Sequence, residues 1–330
     1  MPDILDLDEL LNGAPAPATK KAYDSDVKYF WKWAHVALGI SESYPITQET
    51  MKQFVDQHVA GLQPSIQQIL IDAGVKKDHN RLRVDTIRRR MSAIIKAHKK
   101  NGFKEIAFRS EYLKALLSGA KRKETQLGIT TRQVQAITRK PLNRILKTFG
   151  DKHSLKDTRD LAVFIFGFYT GGRRGSEIIN AKFDDVHSYH NGYRYNLPYS
   201  KTDQIGKGAL KLLKNPHAKY LTAWIKASGI TGGYLFRGIT PGGALRDKKM
   251  NDRAIRNLIK ERVEMIGFNP RDFSSHSIRR GFLTQCGMDG YSLRDAMQLT
   301  GHTNVETALK YYEAGLVENN EATKMNTKQH

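Results

Sequence analysis

The chain has 330 residues, enough at roughly 100–200 residues per domain for two domains with separate cores. Its 54 Lys and Arg against 33 Asp and Glu give a formal charge of +21, which suits a polyanionic partner such as DNA or RNA. A single cysteine, Cys286, excludes an internal disulfide or a cysteine-built zinc site; the acidic start MPDILDLDELL is unlike a secretory leader, and no run approaches the ~18 apolar residues of a membrane span.

A soluble cytoplasmic chain with no membrane partner is therefore expected. Residues 1–75 carry 5 basic and 10 acidic side chains, whereas residues 76–123 carry 16 basic and 4 acidic. The first helix is read in TKKAYDSDVKYFWKWAHVALG, with Ala22, Val27, Phe30, Trp31 and Ala34 near helical spacing, Thr19 as N-cap and Gly39 as stop. A second helix is read in TQETMKQFVDQHVAGL, opened by Thr47 with Thr50 and Glu49 nearby. QPSIQQILIDAGVKKDHNRLR reads as a short helix plus a loop.

VDTIRRRMSAIIKAHKKNG gives the clearest helix. Ile87, Met91, Ile94, Ile95 and His98 repeat on one face, while Arg88, Arg89, Lys96 and Lys99 point elsewhere. The basic block around it fits a phosphate-binding surface. Residues 116–133 lose periodicity and hold Gly119 and Gly128, which places a linker there: a first domain over 1–122, a linker over 123–132 and a second domain over 133–330.

In the second domain, TRQVQAITRKPLNRILKTFG and LKDTRDLAVFIFGFYTGG read as helices, the latter apolar on most sides and broken by Gly171 and Gly172. Residues 193–213 read as two strands around a polar turn, and HAKYLTAWIKAS returns to helix. A mostly helical domain with a small antiparallel sheet is expected, followed by a polar tail.

Several chemical groups cluster in sequence. In YTGGRRGSEI, a glycine pair precedes Arg173 and Arg174, with Glu177 three residues beyond the latter; a guanidinium there can grip phosphate oxygens bidentately while the carboxylate orients it. In SSHSIRRGFLTQ, Ser274 or Ser275 can cap a helix whose positive end carries His276 and, three residues on, Arg279. Ile278 and Phe282 would anchor its other face.

GHTNVETALKYY follows. On a helix capped by Thr303 or Asn304, Val305, Ala308, Leu309 and Tyr312 fall on one apolar stripe, which leaves Tyr311 about 120° from the stripe's centre.

The order Arg in GGRRGSE, Lys in YSKTDQ, HSIR, GH, then Tyr nine residues after that His resembles the tyrosine recombinases and phage-type integrases, Cre-like members among them. By motif the likeness spans roughly residues 130–312. It extends more loosely to ATKKAYDSDVKYF and to VDTIRRRMSAIIKAHKKNG. The resemblance implies two mainly α domains: an N-terminal core-binding, SAM-like helical bundle and a mixed α/β, mostly helical catalytic domain. It further implies Arg174, Lys201, His276, Arg279, His302 and Tyr311 as catalytic residues and Glu177 as an orienting group, with Lys207 a weaker match than Lys201. Thr19, Lys20, Arg83, Thr86, Arg88, Arg89, Arg90 and Lys96 would face DNA.

The implied activity is site-specific recombination through a 3′-phosphotyrosine and a Holliday junction, with no cofactor and no metal. The implied partners are double-stranded DNA with inverted-repeat sites, a homodimer on each site and a homotetramer in the synapse, in a bacterial, plasmid or phage setting. A type IB topoisomerase and a non-catalytic DNA-binding protein of the same fold are the alternatives.

Overall fold

In the computed structural model, which describes residues 17–103, 110–129, 133–149, 154–198 and 208–319, the chain divides into two units, Met1–Thr131 and Arg132–His330. Among the described residues, five helices build the first: α1 (Pro17–Leu38), α2 (Gln48–Ala60), α3 (Pro64–Asp72), α4 (Val84–Lys100) and α5 (Glu111–Gln126). α1 begins at Pro17, so Thr19 lies inside it rather than capping it; proline suits a first turn, where a backbone N–H has no helical partner. Gly39 ends α1 at φ 69°, its N–H bonded to the His35 carbonyl at 3.1 Å. Thr47 caps α2 by accepting the Thr50 N–H at 3.0 Å.

The α4 face is buried as its spacing predicts: Ile87, Met91, Ile94, Ile95 and His98 all turn inward. Around them pack Phe30 of α1 and Phe54 of α2, whose rings meet edge-on at 5.4 Å. Burying a ring of this kind contributes roughly 1.5–3 kcal/mol. Residues 116–126, read from the sequence as aperiodic, are helical. Ser110 caps α5, and Leu113 and Leu117, four apart, bury a narrow face that two leucines suffice to define. The helix thus runs four residues into the expected linker.

α4 also sends one cation inward. Arg90 lies three residues after Ile87 and four before Ile94, on the core stripe, and is 8% exposed. Its guanidinium sits 3.2 Å from the centre of the Tyr29 ring and 3.4 Å from Asp26, which Arg89 also engages. Arg90 therefore leaves the expected DNA-facing set. Beyond Tyr29 the network ends at buried His58, whose Nδ1 bonds the Phe54 carbonyl at 2.6 Å and whose Nε2 meets the Tyr29 hydroxyl at 2.8 Å.

The second unit contains α6 (Arg139–Phe149), α7 (Leu155–Tyr169), α8 (Gly175–Asn180), β1 (Val186–Tyr189), β2 (Gly192–Leu197), β3 (Ala209–Lys214) and α9 (Ala218–Ser228). They are followed by β4 (Arg237–Ile239), β5 (Leu245–Lys249), α10 (Asp252–Met265), α11 (His276–Met288), α12 (Leu293–Thr300) and α13 (Val305–Asn319). α7 is buried on nearly every side, as an all-round apolar helix must be. Its buried Asp160 accepts from Arg159 and from Arg262 of α10, each at 2.7 Å, so the charge inside the core is paired twice.

Strands β1, β2 and β3 form an antiparallel sheet in that order, with Tyr195 opposite Lys211. A second two-stranded sheet, β4 with β5, was not foreseen: LRDKK is polar on both faces and shows no alternation to read. α11 and α13 approach closely through glycine. A Cβ on Gly287 would lie 2.2 Å from the Tyr312 carbonyl oxygen, and one on Gly315 would lie 2.0 Å from that of Thr284.

Candidate active site

The site is built where α7 ends. Gly171 and Gly172 take φ of 99° and 65°, a reversal that L side chains resist. A Cβ on Gly172 would lie 2.8 Å from Cβ of Phe282, so the pair also lets this turn settle against α11. The chain then delivers two arginines to one carboxylate. Arg173 is 1% exposed, 3.3 Å from Glu177, and its guanidinium also donates to the carbonyls of Gly171, at 2.7 Å, and Leu299. Arg174 occupies the N-cap of α8; its backbone N–H donates to Glu177 at 3.1 Å and its Nη1 at 2.6 Å, and its side chain stays 16% exposed. Arg173 thus belongs to the scaffold, while Arg174 keeps an open side.

α11 starts beside α8: a Cβ on Gly175 would lie 2.7 Å from that of Ser275. Ser275 occupies the N-cap, yet the capping hydroxyl is that of Ser274, which accepts the His276 N–H at 3.1 Å. His276, first in the helix, is exposed; Arg279, one turn on, is buried. Arg279 donates from Nη1 to the Gly172 carbonyl at 3.2 Å and from Nε to Nε2 of His302 at 3.3 Å. Ile278 is buried as expected, and Phe282 meets Phe168 edge-on at 5.7 Å.

His302 follows α12 through Gly301, which caps the helix in the left-handed region at φ 69°. Its Nδ1 lies 2.7 Å from the Thr300 hydroxyl, which itself donates to the Ala296 carbonyl at 2.9 Å. Nη2 of Arg279 also lies 3.3 Å from Nδ1; in the tautomer whose Nδ1 proton is directed at Thr300, Nε2 is bare to accept from Nε of Arg279. Burial, together with the charges of Arg279 and Arg174, drives His302 down to about 3, so it is neutral at physiological pH. Burial and then the neighbouring Arg174 likewise lower Arg279 to about 9, with Glu177 opposing. These cations crowd one carboxylate, an arrangement that favours an incoming anion.

α13 carries the paired tyrosines. Asn304 caps it as one of the two expected residues, its side chain accepting the Thr307 N–H at 2.8 Å. The apolar stripe is narrower than expected: Ala308 is buried, but Val305 is 55% exposed because it opens the first turn, before the helix meets α11. Both tyrosine rings are half-buried against Leu283, Cys286 and Ala296. Tyr312 donates its hydroxyl to the Tyr291 carbonyl, whereas the Tyr311 hydroxyl has no hydrogen bond among the described residues. The Tyr311 carbonyl accepts from Thr284 at 3.0 Å, and its ring lies 5.1 Å from the Arg280 guanidinium. Arg280 otherwise donates to the Val134 carbonyl at 2.6 Å, away from Arg279.

Lys201 and Lys207 lie outside the described residues. In the first unit, Lys20 and Arg88 are exposed, Thr19, Arg83, Thr86 and Lys96 are half-buried, and Arg89 is drawn to Asp26. Lys211 escaped sequence reasoning. It is 5% exposed on β3, and its Nζ donates to the carbonyls of Leu299 at 2.8 Å and Gln298 at 3.3 Å. Alternation with inward-facing Leu213 was the available signal, masked by Leu210, which points out at 57% exposure. Among the described residues no group of three His, Cys, Asp or Glu could hold a metal, and no helix is long and apolar enough to cross a membrane.

Residues 135–316 match the model of the phage integrase family. An integrase/recombinase described as a XerD homolog, from Selenomonas ruminantium, is 26% identical over 313 residues, covering 92% of this chain and 84% of that protein. The tyrosine recombinase XerC of Staphylococcus aureus is 25% identical over 166 residues, covering 50% of this chain and 52% of that one. In fold, the chain is similar to the Tn1549 transposon integrase solved in complex with transposon right end DNA, at TM-score 0.60 and 13% identity, covering 96% of this chain and 97% of that one. It is also similar to a lambda integrase dimer bound to a COC′ core site, at TM-score 0.54 and 14% identity, covering 93% of each.

Proposed function

Since the chain belongs to the phage integrase family, we propose that it is a tyrosine-type site-specific DNA recombinase in which Arg174, Lys201, His276, Arg279, His302 and Tyr311 carry the chemistry. The observation that carries this reading is the meeting of Arg279 with His302 beside the open side of Arg174, with His276 at the adjoining helix start. Family membership favours it over a relaxing topoisomerase or a non-catalytic DNA-binding protein.

The steps follow from charge. Attack of the Tyr311 oxygen on a DNA phosphodiester forms a tyrosyl 3′-phosphate ester and breaks the bond to the 5′ oxygen, loading negative charge on the non-bridging oxygens. Arg174 and Arg279 receive that charge, with Glu177 orienting the first. Donation from His302 requires its other tautomer: the Thr300 hydroxyl turns to donate to Nδ1, which gives up its proton to solvent as Nε2 takes one up. A phenol with pKa near 10 does not ionise unaided, so His276 takes its proton. Lys201 protonates the departing 5′ oxygen. Attack by a second strand's 5′ hydroxyl reverses these steps, and the ester conserves the bond energy without a nucleotide cofactor.

By the same reading a homodimer occupies inverted half-sites, and four protomers exchange strands through a Holliday junction. The test uses a plasmid carrying two copies of an inverted repeat taken from the DNA flanking the gene. Reciprocal exchange into two circles supports the proposal. Relaxation of supercoils without exchange would favour the topoisomerase, and no strand cleavage at all would favour the binding protein.

A further inference from the structure

We propose that Lys211 and Arg173 are positioning residues that hold the last turn of α12, and through it set His302 against Arg279. The inference rests on the reading of the site as a strand-transfer centre. The Leu299 carbonyl is the hub: Lys211 donates to it at 2.8 Å, Arg173 donates to it as well, and a Cβ on Gly171 would crowd it at 2.8 Å. The Gln298 carbonyl takes a further bond from Lys211.

The last carbonyls of a helix have no helical donors and form its negative end, so two cations satisfy them and fix where α12 stops. One residue later Thr300 bonds Nδ1 of His302, and two residues later Gly301 closes the turn with its N–H on the Met297 carbonyl at 2.8 Å. His302 itself returns its N–H to the same carbonyl at 3.2 Å. A shift of the Leu299 carbonyl is therefore passed to the imidazole through a chain of short bonds.

Mere packing does not account for Lys211. Its position lies on the inner face of β3 two residues before Leu213, where an apolar side chain would fill the space without desolvating an ammonium. Instead the ammonium stands among Arg173, Glu177 of α8 and Arg279 of α11, opposite Tyr195 of β2, and burial with those two arginines lowers it to about 8. α12 offers it only backbone carbonyls. As Lys211 loses its proton it becomes a weaker donor to Leu299.

Single-turnover covalent trapping on a half-site suicide substrate tests the proposal, using the full chain with His302 present and with His302→Ala. Trapping by the unmodified protein comes first, since its failure would remove the recombinase reading itself. Lys211→Met is expected to slow trapping about tenfold at unchanged DNA affinity, and to add less than about twofold in the His302→Ala background, because the two act in series. Lys211→Arg should restore the rate to within about threefold and should move to higher pH the decline expected above about pH 8 with lysine, since a guanidinium holds its proton more firmly than an ammonium. Equal slowing in both backgrounds, or no slowing, would overturn the proposal. Should Lys211→Met not fold, the Lys211→Arg profile decides: a decline above about pH 8 as steep as with lysine rejects it.

Discussion

Arg173 and Arg174, adjacent in the chain, share the carboxylate of Glu177, yet one is sealed at 1% exposure while the other keeps an open side chain. Their substitutions should separate accordingly. Arg173→Ala strips a donor from the buried Leu299 carbonyl and unbalances Glu177, so it should cost about 3 kcal/mol of stability in urea unfolding. Arg174→Ala should leave stability within about 1 kcal/mol and slow strand cleavage by about 10²–10³. The reverse pattern would exchange their roles.

Lys201→Ala should bind DNA normally and cleave slowly, because a leaving-group acid acts on the chemistry. A substrate with a 5′-bridging sulfur leaves with little protonation. It should restore cleavage by Lys201→Ala to near that of the unmodified protein; without rescue, Lys207 takes over as the acid.

On α4, Arg88 is exposed and Lys96 half-buried, whereas Arg90 is buried against Tyr29. Replacing Arg88 and Lys96 together by Ala should flatten the dependence of DNA affinity on salt by about one unit for each phosphate left without its cation. Arg90→Ala should leave that slope alone and instead cost about 2 kcal/mol of stability. A slope unchanged by the double substitution would remove α4 from the DNA interface.

His58 is 2% exposed, and burial lowers it to about 3, against about 6.5 in an unfolded chain. The unfolded state therefore binds a proton first as pH falls. Stability should decline from about pH 6.5 towards 3 at up to about 1.4 kcal/mol per pH unit for this one group. His58→Gln cannot take that proton, so its urea midpoints should fall less steeply between about pH 6.5 and 4.5; an equal slope would place the proton elsewhere.

Local geometry was legible in the sequence where spacing and residue type coincide. Glu177 follows Arg174 by three residues and pairs with it, and His276 and Arg279, three apart, lie on the first turn of one helix, the former exposed and the latter buried. The buried face of α4 was legible for the same reason. Hidden were features made by partners distant in sequence. Arg90 looks like its exposed neighbours until Tyr29 and Asp26 arrive from α1, and Lys211 looks like a surface lysine until the end of α12 is laid against β3. Likewise, a stripe of four apolar residues on α13 did not reveal that Val305 precedes the meeting with α11.

The central claim is that Tyr311 is the nucleophile and Tyr312 a structural residue. Tyr312 spends its hydroxyl on the Tyr291 carbonyl, while that of Tyr311 is uncommitted among the described residues. The direct measurement is covalent capture on a half-site suicide substrate followed by peptide mapping of the adduct. The 3′-phosphate should be found on Tyr311; Tyr311→Phe should bind DNA with affinity within about twofold and capture none, and Tyr312→Phe should capture normally at a stability loss of about 1 kcal/mol. An adduct on Tyr312, or capture by Tyr311→Phe, would contradict the account.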